Sequence, residues 1–195
     1  SEVSIDGGSG NNTLVLAAAA TVNLSSADQT SGDLTAVTHF VDVDASALSA
    51  SQSVTLIGSS GANALTGGAG ADTIDGSGGA DTIASGAGDD RVAYWGTEAS
   101  IDGGTGNNTL VLKTAASVDL SAVDQTVGDV VSVVGFRNVD ASGLGAGQAA
   151  TIVGSSAANV ITGGAGADTI DGKGGADFID AGAGNDTVSY RGTET

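Results

Sequence analysis

Aspartates recur at the sixth place of nine-residue runs, and they are the residues whose type and spacing most plainly suggest chemistry. From Gly58 the chain reads GSSGANALT, GGAGADTID, GSGGADTIA and SGAGDDRVA (58–93). From Gly154 it reads GSSAANVIT, GGAGADTID, GKGGADFID and AGAGNDTVS (154–189). Glycine gathers in the first four positions, Asp or Asn stands sixth, and Leu, Ile or Val stands eighth. Glycine permits positive φ and a tight turn whose carbonyls can face inward. The sixth-position carboxylate sets a charged oxygen beside them. Carbonyl and carboxylate oxygens together suit a hard cation.

The elements that must hold such a site follow from the last three positions of each run. They alternate polar, apolar, polar, which is a minimal strand with one side chain facing a core. Turn plus strand makes half a coil, and two runs make one coil. Runs two apart then stack on the same side, turn over turn, and their oxygens line a cage.

The runs sit inside a longer repeat. Ser4-Ile5-Asp6-Gly7-Gly8 recurs as Ser100-Ile101-Asp102-Gly103-Gly104, an offset of 96 (Asp6 to Asp102), and the match continues without a gap at roughly two-thirds identity. Two units are read, 1–97 and 98–195, with nonapeptides at 58–93 and 154–189. Glu2, Glu98 and Glu194 share one phase of the unit, which suggests two units cut from a longer array. The copies also filter single residues: His39 becomes Gly135, Trp95 becomes Arg191 and Arg91 becomes Thr187. With one unduplicated His and no Cys, no nucleophilic triad can be assembled.

Composition agrees. Aromatic residues make up 3 %, and the apolar content is Ala, Val, Ile and Leu, which suits a thin layered core. The chain holds 23 acidic residues against five basic ones, for a formal net charge of −18. Such a surplus repels phosphate and disfavours nucleic acid as a partner, while attracting Ca²⁺. The longest apolar run, Leu14 to Ala20, is too short for a membrane span, and no leader is read at the start.

On these residues the sequence resembles the RTX family, whose signature G-G-x-G-x-D-x-U-x is a calcium-binding β-helix repeat. GGAGADTID at 67–75 and 163–171 fits at every position. The resemblance implies an all-β, right-handed parallel β-roll, calcium-coupled folding and type I secretion, hence a secreted or cell-surface location. It also implies a ligand set. Carbonyls of positions two and four and the Asp of one turn would face carbonyls of positions one and three and the Asp of the turn two runs later. The first such site would use Gly68, Gly70 and Asp72 with Ser85, Ala87 and Asp90; its copy would use Gly164, Gly166 and Asp168 with Ala181, Ala183 and Asp186. A second pair departs from the pattern by carrying Asn. Here Ser59, Gly61 and Asn63 would face Gly76, Gly78 and Asp81, and Ser155, Ala157 and Asn159 would face Gly172, Gly174 and Asp177. A neutral oxygen predicts weaker or empty sites there. About two or more Ca²⁺ ions per unit are anticipated. For Asn12 and Asn108, capping of the turn is the preferred reading.

Residues 13–57 and 109–153 lack Asp-bearing turns but keep short β patterns, including Thr13–Leu16, Thr21–Leu24, Phe40–Val43 and Val54–Ile57. They predict wider, calcium-free coils of the same solenoid. Ser25 to Val37 and Ser121 to Val133 are read as excursions, with Asp28-Gln29-Thr30 and Asp124-Gln125-Thr126 at a bend. Asp44-Ala45-Ser46 and Asp140-Ala141-Ser142 are read as openings of short helices. The functional expectation is a non-enzymatic calcium-binding structural module, a rigid spacer in an adhesin or surface-layer-like protein, whose partners are calcium and neighbouring units. The alternatives are the calcium roll of a secreted enzyme with its catalytic domain elsewhere, or an ice- or glycan-binding surface.

Overall fold

The structure, a computed structural model, describes residues 4–192; the phase match at Glu2 and Glu194 lies outside them. Every strand is two to four residues long; each three-residue strand inside the stack buries its middle side chain, while Ile5 and Ile179 in the end strands are part-buried and Val188 is exposed. That is what a polar, apolar, polar triplet between glycine turns dictates. No helix occurs among the described residues, so none is long enough to cross a membrane.

The strands stack in parallel, and the separation of paired residues measures each coil. Leu65 pairs with Ile83, Ile74 with Val92, Ile83 with Ile101 and Val92 with Leu110, each 18 residues apart. In the second unit Ile152 pairs with Ile170, Ile170 with Val188 and Ile161 with Ile179, again 18 apart. Two nonapeptides therefore make one coil. The segments between continue the same stack with wider coils. Ile5 pairs with Val37 (32 apart), Leu14 with Val43 (29), Val22 with Leu56 (34) and Val43 with Leu65 (22).

Wide coils have three sides and narrow coils two. Ser4–Asp6 and Ala36–Thr38 form one side. A second side runs Thr13–Val15, Asp42–Asp44, Ala64–Thr66, Thr82–Ala84, Ser100–Asp102, Ser132–Val134. A third runs Thr21–Asn23, Thr55–Ile57, Thr73–Asp75, Arg91–Tyr94, Thr109–Leu112, Asn138–Asp140, Val160–Thr162, Phe178–Asp180. The fourth holds Ser117–Asp119, Thr151–Val153, Thr169–Asp171 and Thr187–Ser189. One file of buried aliphatics lines the interior, among them Val22, Leu56, Ile74, Val92, Leu110, Val139 and Ile161 on the third side. Each contributes about 1.5–3 kcal/mol through burial.

Two expectations need correction. Val37 and Val133 end no excursion; they are buried centres of the strands Ala36–Thr38 and Ser132–Val134. The excursions themselves are hairpin-like: Thr21 pairs antiparallel with Ser31, and Val118 with Thr126. Their bends are tied down as placed, because buried Gln29 donates from Nε2 to Phe40 O (2.8 Å) and accepts Phe40 N–H (2.9 Å), and Gln125 does the same with Phe136 (2.7 and 2.8 Å). The short helices are absent. Asp44 Oδ1 accepts Ser46 N–H (2.9 Å) and Asp140 Oδ1 accepts Ser142 N–H (3.0 Å), closing local turns that compete with a helix.

Candidate metal centre

Stacking the nonapeptides places their sixth residues in two columns, one at each edge of the roll. Within a column each side chain reaches back one coil. Asp90 Oδ1 accepts the N–H of Asp72 (2.8 Å), Asp72 Oδ1 that of Val54 (2.8 Å) and Asn108 Oδ1 that of Asp90 (2.9 Å). Asp81 Oδ1 accepts the N–H of Asn63 (2.9 Å) in the other column. The second unit repeats this with Asp186 to Asp168 (2.9 Å), Asp168 to Ala150 (2.6 Å) and Asp177 to Asn159 (2.9 Å). Asp72, Asp81, Asp90, Asp168 and Asp177 are all buried.

The turns themselves come into direct contact. The Gly68 carbonyl accepts Ala87 N–H (3.0 Å), Ser59 O accepts Gly78 N–H (3.2 Å), Gly164 O accepts Ala183 N–H (2.9 Å) and Ser155 O accepts Gly174 N–H (3.0 Å). The position-two carbonyls of the anticipated ligand sets therefore already hold one hydrogen bond each. Asp72 Oδ2 accepts the N–H of Gly68 (2.7 Å) and Asp168 Oδ2 that of Gly164 (2.7 Å), so these aspartates also cap their own turns. Each oxygen keeps a second lone pair, so capping and ligation can coexist.

The first-position glycine of the earlier turn in each pair, which the sequence reading left out of the site, is where oxygens from two turns meet. A Cβ on Gly67 would collide with Ser85 O and lie 2.7 Å from Asp72 Oδ2. On Gly163 it would collide with Ala181 O and lie 2.8 Å from Asp168 Oδ2. Gly58 stands in the same relation to Gly76 O and Asn63 Oδ1, and Gly154 to Gly172 O and Asn159 Oδ1 (2.8 Å to each amide oxygen). The sequence signal was present, since Gly holds the first place of these four runs.

The charge balance is unusual. Asp81 Oδ2 and Asp90 Oδ2 are fully buried and accept no hydrogen bond. The ion pairs among the described residues join His39 to Asp6, Arg91 to Asp140, Lys113 to Asp75 and Arg191 to Asp171, and leave Asp72, Asp81, Asp90 and Asp168 without a cationic side chain. Burial pushes the Asp81 carboxyl up to about 6, helped by the nearby negative charges of Glu98 and Asp75 and opposed by the Asn63 N–H. Burial likewise raises that of Asp90, helped by the charges of Asp72 and Asp89 and opposed by the Asp72 N–H and the Ser85 hydroxyl. A buried, unpaired carboxylate is costly unless a cation or a proton neutralises it. Orphaned carboxylate oxygens, with a glycine cradle between carbonyls, fit a hard divalent cation of oxygen preference.

The Asn-bearing turns differ. Asn63 Nδ2 donates to Val41 O (2.6 Å) while its Oδ1 accepts Ser59 N–H (2.7 Å); Asn159 bonds Arg137 O (2.7 Å) and Ser155 N–H (2.7 Å) in the same way. Asn108 donates to Gly103 O and to Gly135 O (3.0 Å), and Asn12 to Gly8 O, Gly10 O and His39 O (3.3 Å each), so both cap turns as anticipated.

The family model of the RTX calcium-binding nonapeptide repeat (4 copies) matches residues 4–18, 57–92 and 151–188. No curated protein and no solved structure matches the chain. The nonapeptides described above are thus RTX calcium-binding repeats, on a parallel roll of many short strands.

Proposed function

We propose that the aspartate columns hold Ca²⁺ between turns one coil apart, and that this binding drives folding of the module. The observation that carries the reading is the burial of Asp81 and Asp90 with carboxylate oxygens that no donor meets. The principal sites pair Asp72 with Asp90 and Asp168 with Asp186, together with the carbonyls of Gly68, Gly70, Ser85 and Ala87 and of Gly164, Gly166, Ala181 and Ala183. The pairs Asn63/Asp81 and Asn159/Asp177 are secondary, because each Asn spends its amide on backbone. When bound, the ion supplies positive charge that cancels opposed carboxylates; the chain's own glycines supply the close approach.

Without the ion, neighbouring aspartates repel and glycine-rich turns lose much chain entropy on ordering. Metal-binding free energy then becomes folding free energy. Extracellular calcium modules bind at ~10⁻⁴–10⁻³ M. A chain of that affinity stays loose at low cytosolic calcium and stiffens outside, which suits export and a role as a rigid spacer, built of units 1–97 and 98–195, in a secreted or surface protein. The exposed in-register column Ser117, Thr151, Thr169 and Thr187 is the one rank of hydroxyls on the fourth side. Its companion column, Asp119, Val153, Asp171 and Ser189, mixes charge with apolar surface, which gives a glycan or ice reading little support.

The test is far-UV circular dichroism. Coil is expected in chelator and β structure in millimolar Ca²⁺. Asp72→Ala with Asp168→Ala should raise the calcium midpoint by about tenfold or more, the scale for losing support at a metal site. An unchanged midpoint removes those sites.

A further inference from the structure

We propose that Glu98 completes a further Ca²⁺ site with Asp81, at the joint where the first unit passes into the second. The site rests on the calcium reading and deepens it, but its new ligand comes from a turn with no nonapeptide motif. Glu98 lies outside the family match, which stops at residue 92 and resumes at 151. Residues 94–99 read YWGTEA, without a glycine run or a sixth-position acid.

The stack sets that turn one coil above the turn of Asp81. Thr82 pairs with Ser100 and Ile83 with Ile101, and Asp81 O accepts the N–H groups of Ala99 (2.8 Å) and Ser100 (3.2 Å). Ala99 thus holds the place of the sixth residue, 18 after Asp81, and its methyl offers no ligand. Glu98 stands one residue earlier, and its side chain is one methylene longer than that of Asp. Its carboxylate caps its own turn, as that of Asp72 does. Oε1 accepts Trp95 N–H (2.8 Å), and Oε2 accepts those of Gly96 (2.9 Å) and Thr97 (3.0 Å). Glu98 is buried, and none of the ion pairs among the described residues reaches it.

Two oxygens of the turn below are left for an ion. Asp81 Oδ2 is fully buried and accepts no hydrogen bond, while Oδ1 meets the Asn63 N–H (2.9 Å). In the turn of Asp72, the matching Oδ2 accepts the N–H of second-position Gly68 (2.7 Å). Ser77 holds that position here, but at a φ of 65° its N–H turns away to Asp75 Oδ1 (2.8 Å). The other oxygen is the Ser77 carbonyl. Second-position carbonyls of the neighbouring turns accept an N–H from 19 residues on, Ser59 O from Gly78 (3.2 Å) and Gly68 O from Ala87 (3.0 Å). The residue 19 after Ser77 is Gly96, whose N–H goes to Glu98 instead. Glu98 stands close enough for its charge to bear on the Asp81 carboxyl. Two buried carboxylates on stacked turns, one with an oxygen that no donor meets, call for a cation between them. With a carbonyl added, the set is all oxygen and suits Ca²⁺. An ion there would fasten the last motif turns of the first unit to the start of the second.

Trp95 gives the site its own reporter. It is the one tryptophan of the chain, and its backbone N–H binds Glu98 directly. Tb³⁺, a luminescent stand-in for Ca²⁺, emits when excited through a nearby indole. The experiment is Tb³⁺ emission excited through Trp95, with calcium stoichiometry from isothermal calorimetry on the same chain. The wild type should emit, and Ca²⁺ should quench the emission by displacement. Glu98→Gln and Asp81→Asn should each lower the emission at least several-fold. Each should also bind one calcium fewer, and the double variant no fewer than either alone, because the two residues serve one ion. Should Glu98→Gln lose its β signal in millimolar Ca²⁺, Asp81→Asn and the wild-type emission still decide. A folded wild type that binds calcium but shows no emission through Trp95 overturns the site, as does emission that survives Asp81→Asn. A folded Glu98→Gln variant with the full calcium count overturns it too, since Glu98 would then only cap its turn. All three outcomes leave the calcium reading standing, whereas a wild type that takes up no calcium removes both.

Discussion

At the sixth position of a nonapeptide, Asp and Asn differ in hydrogen-bond polarity more than in strength as ligands. An aspartate between narrow coils accepts an N–H from 18 residues back, as Asp90 does from Asp72. Asn63 and Asn159 stand one coil past the three-sided region and face carbonyls 22 residues back, Val41 O and Arg137 O, to which they donate. A carboxylate there would meet a carbonyl with no proton between them. Asn159→Asp, which by composition should improve a calcium site, is therefore expected to cost about 1–3 kcal/mol of stability at saturating calcium. Isothermal calorimetry should find no additional ion. A gain in stoichiometry with unchanged melting would refute this account of the Asn. The sequence displayed both residue types in the right frame, and the aspartate columns were legible from it. Which backbone group faces each one was not, because that depends on the register of a wide coil lacking the nine-residue rhythm. Trp95 and Arg191 show the same limit. They differ in type, yet Trp95 Nε1 bonds Asp75 (2.9 Å) and Arg191 bonds the equivalent Asp171 (2.6 and 2.9 Å).

At the level of the element, the turn geometry assigns costs that the motif hides. Ser77 and Lys173 occupy the second position of GSGGADTIA and GKGGADFID and adopt φ of 65° and 66°, in the left-handed region. A side chain there costs about 1–2 kcal/mol relative to glycine. Their N–H groups bond Asp75 Oδ1 (2.8 Å) and Asp171 Oδ1 (2.9 Å), which a glycine retains. Ser77→Gly should stabilise the calcium-bound form by about 0.5–1 kcal/mol after the larger chain entropy of glycine is subtracted. Lys173→Gly should gain less, because the Lys173 charge adds to the Arg191 guanidinium, which chiefly holds the Asp171 carboxyl down near 2, and glycine keeps only the backbone N–H. Thermal melts in excess calcium measure both, and a loss on Ser77→Gly would show the turn to be unstrained. The narrow coils were legible because glycine clusters mark both ends of each strand. The strands Ala36–Thr38 and Ser132–Val134 were not, since no glycine run precedes them and their partners lie 32 residues away.

Across the whole molecule, the side that each unit drops changes. The first roll lies between the second and third sides and the second roll between the third and fourth, so the pair of aspartate-bearing edges moves round by one side per unit. All of these edges carry the burden of a chain with net charge −18. Protons and calcium compete for that burden, and the direction follows from Asp81 and Asp90. Burial raises both carboxyls in the folded, metal-free form, Asp81 from 3.8 to about 6. A raised folded-state value means that the folded form binds the proton more tightly than the unfolded chain does. The stabilisation from protonation is fully present below about 3.8 and is lost as pH rises through about 6. In chelator, β signal should therefore be greater at pH 4.5 than at pH 7.5. In calcium titrations, the midpoint should be flat above pH 7 and move to higher concentration as pH falls below 6, since each ion must then displace a proton. Circular dichroism at pH 4.5, 6 and 7.5, in chelator and across calcium titrations, measures both arms. A midpoint that ignores pH across this range would mean that the buried carboxylates do not bind the ion, and the calcium assignment would fall with it.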